Sequence, residues 1–307
     1  MNAIEIRGVS KRFGTVVAVS DLTLDVPEGS IYGFIGPNGS GKTTTIRMIM
    51  NILLPDQGEI MVLGRHSHSS RDEVGYLPEE RGLYKRMTVR RVLRYYGQLK
   101  GRSLSQLDPM INHWLDRLQL SAWADKKVQT LSKGMSQKVQ FISAVVSNPK
   151  LLILDEPFSG LDPVNADALT DAVLGLRRQG ATIVFSTHDM SAAERLCDRI
   201  FMIFKGRKVL DGTLDDIQSQ YAQDTVRVRV RDGVAALSGW PEIESLNDYG
   251  NYQDVRLQGD AQDFLLKLAQ RTPVYRFELM KPSLHDIFVR IAKPTADDMK
   301  APAVATA

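Results

Sequence analysis

Two stretches of this chain carry residue types whose spacing dictates chemistry. The first is Gly36-Pro37-Asn38-Gly39-Ser40-Gly41-Lys42-Thr43, followed by Thr44. It lies between an apolar run, Ile31-Tyr32-Gly33-Phe34-Ile35, and a helix-like segment from Thr43 to Asn51. Strand, glycine turn and helix together form the setting of a phosphate-binding loop. The glycines let the backbone curl until successive N–H groups point inward, and the helix adds the positive end of its dipole. Lys42 supplies a point charge to the β- and γ-phosphates, and the Thr43 hydroxyl supplies a ligand for Mg²⁺. The second stretch is Leu151-Leu152-Ile153-Leu154-Asp155-Glu156, an apolar run ending in two carboxylates. Asp155 is placed to hold Mg²⁺ and Glu156 to orient or deprotonate an attacking water. His188, at the end of a further apolar run from Thr182 to Thr187, is placed to donate a hydrogen bond to a γ-phosphate.

These residues need a scaffold that brings strand ends together. An all-apolar strand is covered on both faces, as in a parallel sheet between helices. Ligands of such sheets bind at the carboxyl ends of the strands. Before the loop, Ile4 to Val9 alternates apolar with polar as a half-buried strand does, and Val16–Val19 and Leu22–Val26 read as two more strands. Phe13 lies between the first two of these strands and offers a ring face on which an adenine could stack. After the loop come a strand at Ile60–Gly64, a helix from Thr88 to Lys100 and a helical block over 104–128 containing Trp114 and Trp123. Ser132 reads as the N-cap of a helix bearing Val139, Ile142, Val145 and Val146. The helix at Thr88–Lys100 is rich in arginine, which suits a solvated face, an acidic partner or a membrane headgroup zone.

Composition bounds the rest. The 307 residues suffice for about two domains, and 43% hydrophobic with 24% charged residues fits a globular protein. A net charge of +3 is too mild to argue for nucleic acid. The single cysteine, Cys197, excludes an internal disulfide and suits a reducing compartment. No apolar run approaches membrane-spanning length, and the first residues lack the basic and apolar regions of a signal peptide. His66 and His68 lie in a Ser-rich loop without a further ligand nearby. A first domain is expected over 1–221, with a helical part at about 85–148, and a small α+β unit over 222–293. In the latter, three alternating strands at Thr225–Arg231, Asp254–Gln258 and Val274–Leu279 go with helices at Ala261–Arg271 and Ser283–Ala292. The Ala- and Pro-rich end, 294–307, reads as a disordered tail.

The order of motifs over about residues 3–220 resembles the nucleotide-binding subunit of an ABC transporter. Leu131-Ser132-Lys133-Gly134-Met135 resembles that family's signature, Asp155-Glu156 the Walker B end, Ser159-Gly160-Leu161-Asp162 the D-loop, and His188 the switch histidine. Phe13 falls at the position of the adenine-stacking aromatic. The resemblance implies an α/β fold of the ABC type of P-loop NTPase. That fold has an N-terminal antiparallel β region, a parallel-sheet core and a helical subdomain, here followed by the small α+β domain. It implies an ATPase with ATP and Mg²⁺ as ligands. It also implies head-to-tail pairing, as a homodimer or with a paralogue. Ser132, Gly134 and Asp162 would then complete the site on the opposite subunit. The partner would be a separate membrane permease, and the place the cytoplasmic face of the inner membrane.

Two departures from the family pattern stand out. Glu79 occupies the position of the usual Q-loop glutamine, where a carboxylate can meet Mg²⁺ or water but cannot donate an N–H. The signature carries Lys133 and Met135 where glycine and glutamine are common, while Ser132 and Gly134 are retained. The Tyr76–Tyr84 segment with Glu79, and the end Lys281 to Phe288, resemble ATPases of bacterial sodium-extrusion and drug-resistance exporters with an ABC-2 permease. The rival expectation is a soluble ABC ATPase acting on ribosomes or nucleic acid. One cassette and the lack of a heptad stretch count against it, and no nucleic-acid partner is expected.

Overall fold

The structure, a computed structural model, describes residues 1–80, 82–221 and 225–292; the expected tail at 294–307 lies outside them. The chain divides into two compact units, one ending at Asp211 and one beginning at Gly212.

The first unit begins with β1 (Asn2–Phe13), β2 (Val16–Pro27), β3 (Ile31–Ile35), α1 (Lys42–Ile49), β4 (Gln57–Val62), β5 (Arg65–His66) and β6 (Val74–Leu77). It continues through α2 (Val89–Leu99), α3 (Leu104–Arg117), α4 (Lys133–Val145), β7 (Leu151–Asp155), α5 (Pro163–Arg178), β8 (Thr182–Thr187), α6 (Met190–Leu196), β9 (Arg199–Phe204) and β10 (Arg207–Thr213), whose last two residues fall past the boundary. Two sheets organise it. An antiparallel one has the order β2-β1-β4-β5, and a six-stranded one the order β10-β9-β3-β8-β7-β6. In the latter, β3, β6, β7, β8 and β9 run parallel. Strands β3, β7 and β8 are buried at every position, as a sheet covered on both faces requires. One core fills the space between the sheets and α1, with Phe34 and Phe201 edge to face at 5.0 Å. Another joins α2, α3, α4 and α5 to the opposite face, around Trp114 and Phe141. The parallel order β3-β8-β7 brings the strand ends at Ile35, Thr187 and Asp155 to one sheet edge. That edge is where the sequence puts its chemistry.

Several boundaries differ from the sequence reading. The two strands expected at Val16–Val19 and Leu22–Val26 are one, β2, because Asp21 takes φ 48° and lets the chain bulge and continue. The helical block expected over 104–128 stops at Arg117, just before Gln119 at φ 58°. Short turns carry the chain on to Ser132.

The second unit holds α7 (Leu214–Tyr221), β11 (Thr225–Val230), α8 (Val234–Leu237), β12 (Ile243–Asp248), β13 (Gln253–Leu257), α9 (Ala261–Arg271), β14 (Val274–Leu279) and α10 (Leu284–Ala292). From β11 onward the elements alternate as β-α-β-β-α-β, and the antiparallel sheet has the order β12-β13-β11-β14. That is the split βαβ, ferredoxin-like arrangement. Val226, Val228, Val255, Trp240, Phe264 and Leu268 fill its core. Four strands are present where three were expected. In β12 the only apolar residues, Ile243 and Leu246, stand three apart, so the segment shows no apolar alternation to read. The boundary also moves. Helix α7, expected to close the first domain, belongs to the second unit, where Gln218 donates to the Pro282 carbonyl at 3.0 Å and Lys281 meets Asp215 at 2.6 Å.

Candidate active site

Between β3 and α1 the chain reverses within six residues, and Gly36, Gly39 and Gly41 take φ 150°, 75° and 114°, a region that favours glycine. Space imposes the same choice. A Cβ on Gly36 would lie 2.3 Å from the Ile203 carbonyl oxygen, and one on Gly41 would lie 2.5 Å from that of Ala18. The loop is thus wedged between β2 and β9, and the Gly206 N–H ties it further by donating to the Ser40 carbonyl at 3.0 Å. Lys42 curls back over it, donating to the carbonyls of Gly36 at 2.7 Å and Pro37 at 3.1 Å. Burial pulls the Lys42 ammonium below its ordinary pKa, while the carboxylates of Glu156, Asp155 and Glu79 favour the charged form.

The loop forms one wall of a cavity of about 470 Å³, within the roughly 300–1,000 Å³ of small-molecule sites. Asn38, Gly39, Gly41, Lys42, Thr43 and Thr44 line that wall, and Glu79, Asp155 and Glu156 face it. Gly36, Pro37 and Ser40 belong to the loop without lining the cavity. Phe13 does not line it either. It is half exposed, at the end of the β1–β2 hairpin and paired with Val16, which does line the cavity.

The carboxylates are held from behind. Ser186 donates its hydroxyl to Asp155 Oδ1. Burial raises the Asp155 pKa, the Ser186 hydrogen bond opposes this, and the charges of Glu79 and Glu156 add to the rise. Asp155 Oδ2 and Ser40 Oγ are buried with no hydrogen-bond partner, and buried polar atoms are ordinarily satisfied. A cation beside Asp155 Oδ2 would satisfy that oxygen and relieve its charge. Glu156 takes φ 49°, with its N–H donating to the Ser186 carbonyl at 3.1 Å. Its Oε1 accepts the His188 backbone N–H at 2.9 Å and lies 2.9 Å from His188 Nδ1. Thus the end of β8 fixes the carboxylate at the end of β7. His188 reaches the cavity through Glu156 rather than by lining it. Glu79 follows β6 in a loop pinned by Gln140, whose Nε2 donates to the carbonyls of Pro78 at 3.1 Å and Glu80 at 3.0 Å.

Ser132, Gly134 and Asp162 line no part of this cavity. Ser132 caps α4, accepting the Met135 N–H at 3.2 Å, and is exposed. Asp162 caps α5 through the Asn165 N–H at 3.0 Å. Gly134 backs onto Asn165, whose Nδ2 would sit 3.1 Å from an added Cβ. The Lys133 side chain folds over Gly160, whose φ is +68°. The signature and D-loop segments therefore pack on each other, apart from the phosphate loop of their own chain.

Known proteins share this combination. The ABC transporter family profile matches residues 19–159, and that of the ATP-binding protein DrrA1-3-like C-terminal domain matches residues 212–292. An uncharacterized ABC transporter ATP-binding protein of Bacillus subtilis (strain 168) is 40% identical over 289 residues, covering 93% of this chain and 97% of the relative. The chain belongs to the ABC transporter ATP-binding proteins. A Nod factor export ATP-binding protein I of Burkholderia lata is 34% identical over 301 residues, 94% of this chain and 96% of the relative. A solved ATP-binding subunit of an ABC transporter superposes with a TM-score of 0.68 at 33% identity, over 71% of this chain and 93% of that one. As an ABC ATPase the chain binds and hydrolyses ATP, and such subunits work with a membrane permease. Among the described residues no helix is long and apolar enough to cross a membrane.

The cavity and its supports also include residues the sequence did not single out. Val17, Ala18, Lys205 and Gly206 line the cavity, from β2 and the β9–β10 turn. Ser186, Thr187 and Gln140 position its carboxylates and the Glu79 loop. An apolar run ending in Ser-Thr-His offered a signal for Ser186 and Thr187. Gln140, inside a helix, offered none.

Proposed function

We propose that this subunit binds Mg²⁺-ATP as one half of a head-to-tail pair and powers an ABC-2-type exporter from the cytoplasmic face of the membrane. The observation that carries the pairing is the separation of the motifs. The cavity gathers the phosphate loop, Glu79, Asp155 and Glu156, while the capped helix start at Ser132 is exposed elsewhere. A second copy would bring its Ser132 and Gly134 to the open side of the nucleotide, where a helix N-terminus suits an anion. Transport in the outward direction is supported by relatives named for Nod factor export, and the ABC-2 class by the DrrA-like C-terminal match.

The reaction follows from the groups in place. Backbone N–H groups of residues 38–43 and Lys42 receive the β- and γ-phosphates. Glu156, held by the His188 N–H, is aimed at the water that attacks the γ-phosphate. His188 lies within hydrogen-bond distance of that carboxylate and can pass to the phosphate when the pair closes. Thr43, Asp155 through its orphaned Oδ2, and Glu79 are the groups that would hold Mg²⁺, which neutralises phosphate charge when bound. Among the described residues no cluster of three or more His, Cys, Asp or Glu is placed to hold a metal.

Extraction of the tagged protein from its native membrane tests the transporter reading. A polytopic membrane protein should co-purify and raise the ATPase rate. Sedimentation with ribosomes instead, with no membrane chain retained, would overturn it.

A further inference from the structure

The ferredoxin-like sheet of the second unit has two edges, β12 and β14. Strand edges offer N–H and C=O groups to another chain, and proteins usually blunt them with charge or proline. The segment Val274-Tyr275-Arg276-Phe277-Glu278-Leu279 contains no proline, and its two charged residues, Arg276 and Glu278, are of opposite sign. Tyr275 and Leu279 are each 61% exposed. The Met280 N–H donates to the Thr225 carbonyl at 2.9 Å, in register with Val226 opposite Leu279 and Arg227 opposite Glu278. Hydrogen-bonded pairs alternate along an antiparallel ladder. Arg276, Glu278 and Met280 therefore turn their backbone groups toward β11, and Phe277 and Leu279 turn theirs outward.

We infer that β14 is a self-association edge: it pairs antiparallel with β14 of a second copy of this chain, centred on Phe277. A two-fold axis there sets Phe277 opposite its own counterpart, using the outward backbone groups. It sets Arg276 opposite Glu278 of the other copy and Tyr275 opposite Leu279, so both the charged and the apolar pairs match themselves. Arg276 already bonds Glu278 within its strand through Nε at 3.0 Å. Across the axis the two arginines and two glutamates close a ring of alternating charge, an arrangement that favours cross-strand pairing. A bulge at Tyr275, where the register with β11 slips by one residue, bounds the ladder. The other edge has the opposite character. In β12 the outward-turned residue Leu246 lies midway between Glu244 and Asp248, so the same operation would place acid against acid. The two accessory domains would thus join into one continuous eight-stranded sheet, an isologous contact that needs no nucleotide.

Sedimentation velocity of the full chain without nucleotide, across the micromolar range, tests this. The wild type should show a concentration-dependent dimer. Arg276→Glu should weaken it roughly ten- to hundredfold, since attraction becomes repulsion at two symmetric pairs. The double exchange Arg276→Glu/Glu278→Arg should restore it, which a merely destabilised strand would not do. A wild type that stays monomeric, or a double exchange that stays as weak as the single one, overturns the proposal. Either failure leaves ATP-driven pairing through Ser132 untouched, because no nucleotide is present.

Discussion

The phosphate loop and the signature helix start, the two elements proposed to meet the nucleotide, are built in opposite ways. At the loop, three glycines at positive φ are locked between β2 and β9, and Lys42 is buried and held by two carbonyls of its own loop. At the signature, one serine caps an exposed helix end and nothing covers it among the described residues. The first is preorganised and stores the cost of a partly desolvated charge. The second is a surface whose only structural duty is a cap. In the pairing proposed above, ATP is hydrolysed when the rigid half of one copy meets the exposed half of another, and association would gate the chemistry.

The largest expected effect lies on the rigid side. Lys42→Ala should lower ATP hydrolysis by about a hundredfold or more, the scale of losing a charge placed at the reacting group. Thermal unfolding should show little loss, because a desolvated cation is removed with it. Equal damage to stability and rate would mean that Lys42 is mainly structural.

The exposed side is sharpened by comparing two substitutions of one residue. Ser132→Ala should cost about 1 kcal/mol of stability through the lost cap, together with activity. Ser132→Asp should keep the cap and the stability, yet lose activity by about tenfold or more, since a carboxylate repels phosphate. Nucleotide binding to the isolated subunit should be unchanged in both, as read by titration with a fluorescent ATP analogue. An active Ser132→Asp variant would break the comparison.

A smaller effect is one of pH. Burial lowers the Lys42 pKa below its ordinary 10.5, and bound phosphate would raise it again. In the window between the two values, binding takes up a proton, so ATP affinity should fall as pH rises. In Lys42→Arg, whose guanidinium stays charged, that slope should vanish. Below the lowered pKa the free protein already carries the proton, and affinity should be flat with respect to this group. Calorimetric titration in buffers of different ionisation enthalpy reads the proton directly.

The smallest effect should come from Gln140→Leu. It releases the carbonyls of Pro78 and Glu80 and loosens the Glu79 loop while leaving the phosphate loop alone. A change of about threefold in basal ATPase is expected, the scale of one net hydrogen bond. Stimulation by the permease should suffer more.

The rigid half was legible in the sequence because its chemistry is local. Glycine spacing, the lysine and the following helix are neighbours in the chain, and the run Leu151–Asp155 announces its own burial. What supports that half was less legible. Gln140 reaches across 62 residues to Pro78, and Lys205 and Gly206 arrive on a strand pair whose sequence carries no chemical signal. In the second unit, the two apolar residues of β12, Ile243 and Leu246, stand three apart and show no pattern of period two. The boundary at Asp211 escaped for a related reason. Helix α7 has one buried side chain, Ile217, and only tertiary packing says which unit it joins.

The central claim is that the exposed half of one copy completes the rigid half of another. Glu156→Gln keeps the size of the side chain and removes the carboxylate that would activate water, so bound ATP should persist. Sedimentation of this variant with Mg²⁺-ATP should show a dimer well above any population present without nucleotide, and adding Ser132→Asp should abolish the increase. If Glu156→Gln sediments identically with and without ATP, the halves do not meet through nucleotide and the account is contradicted.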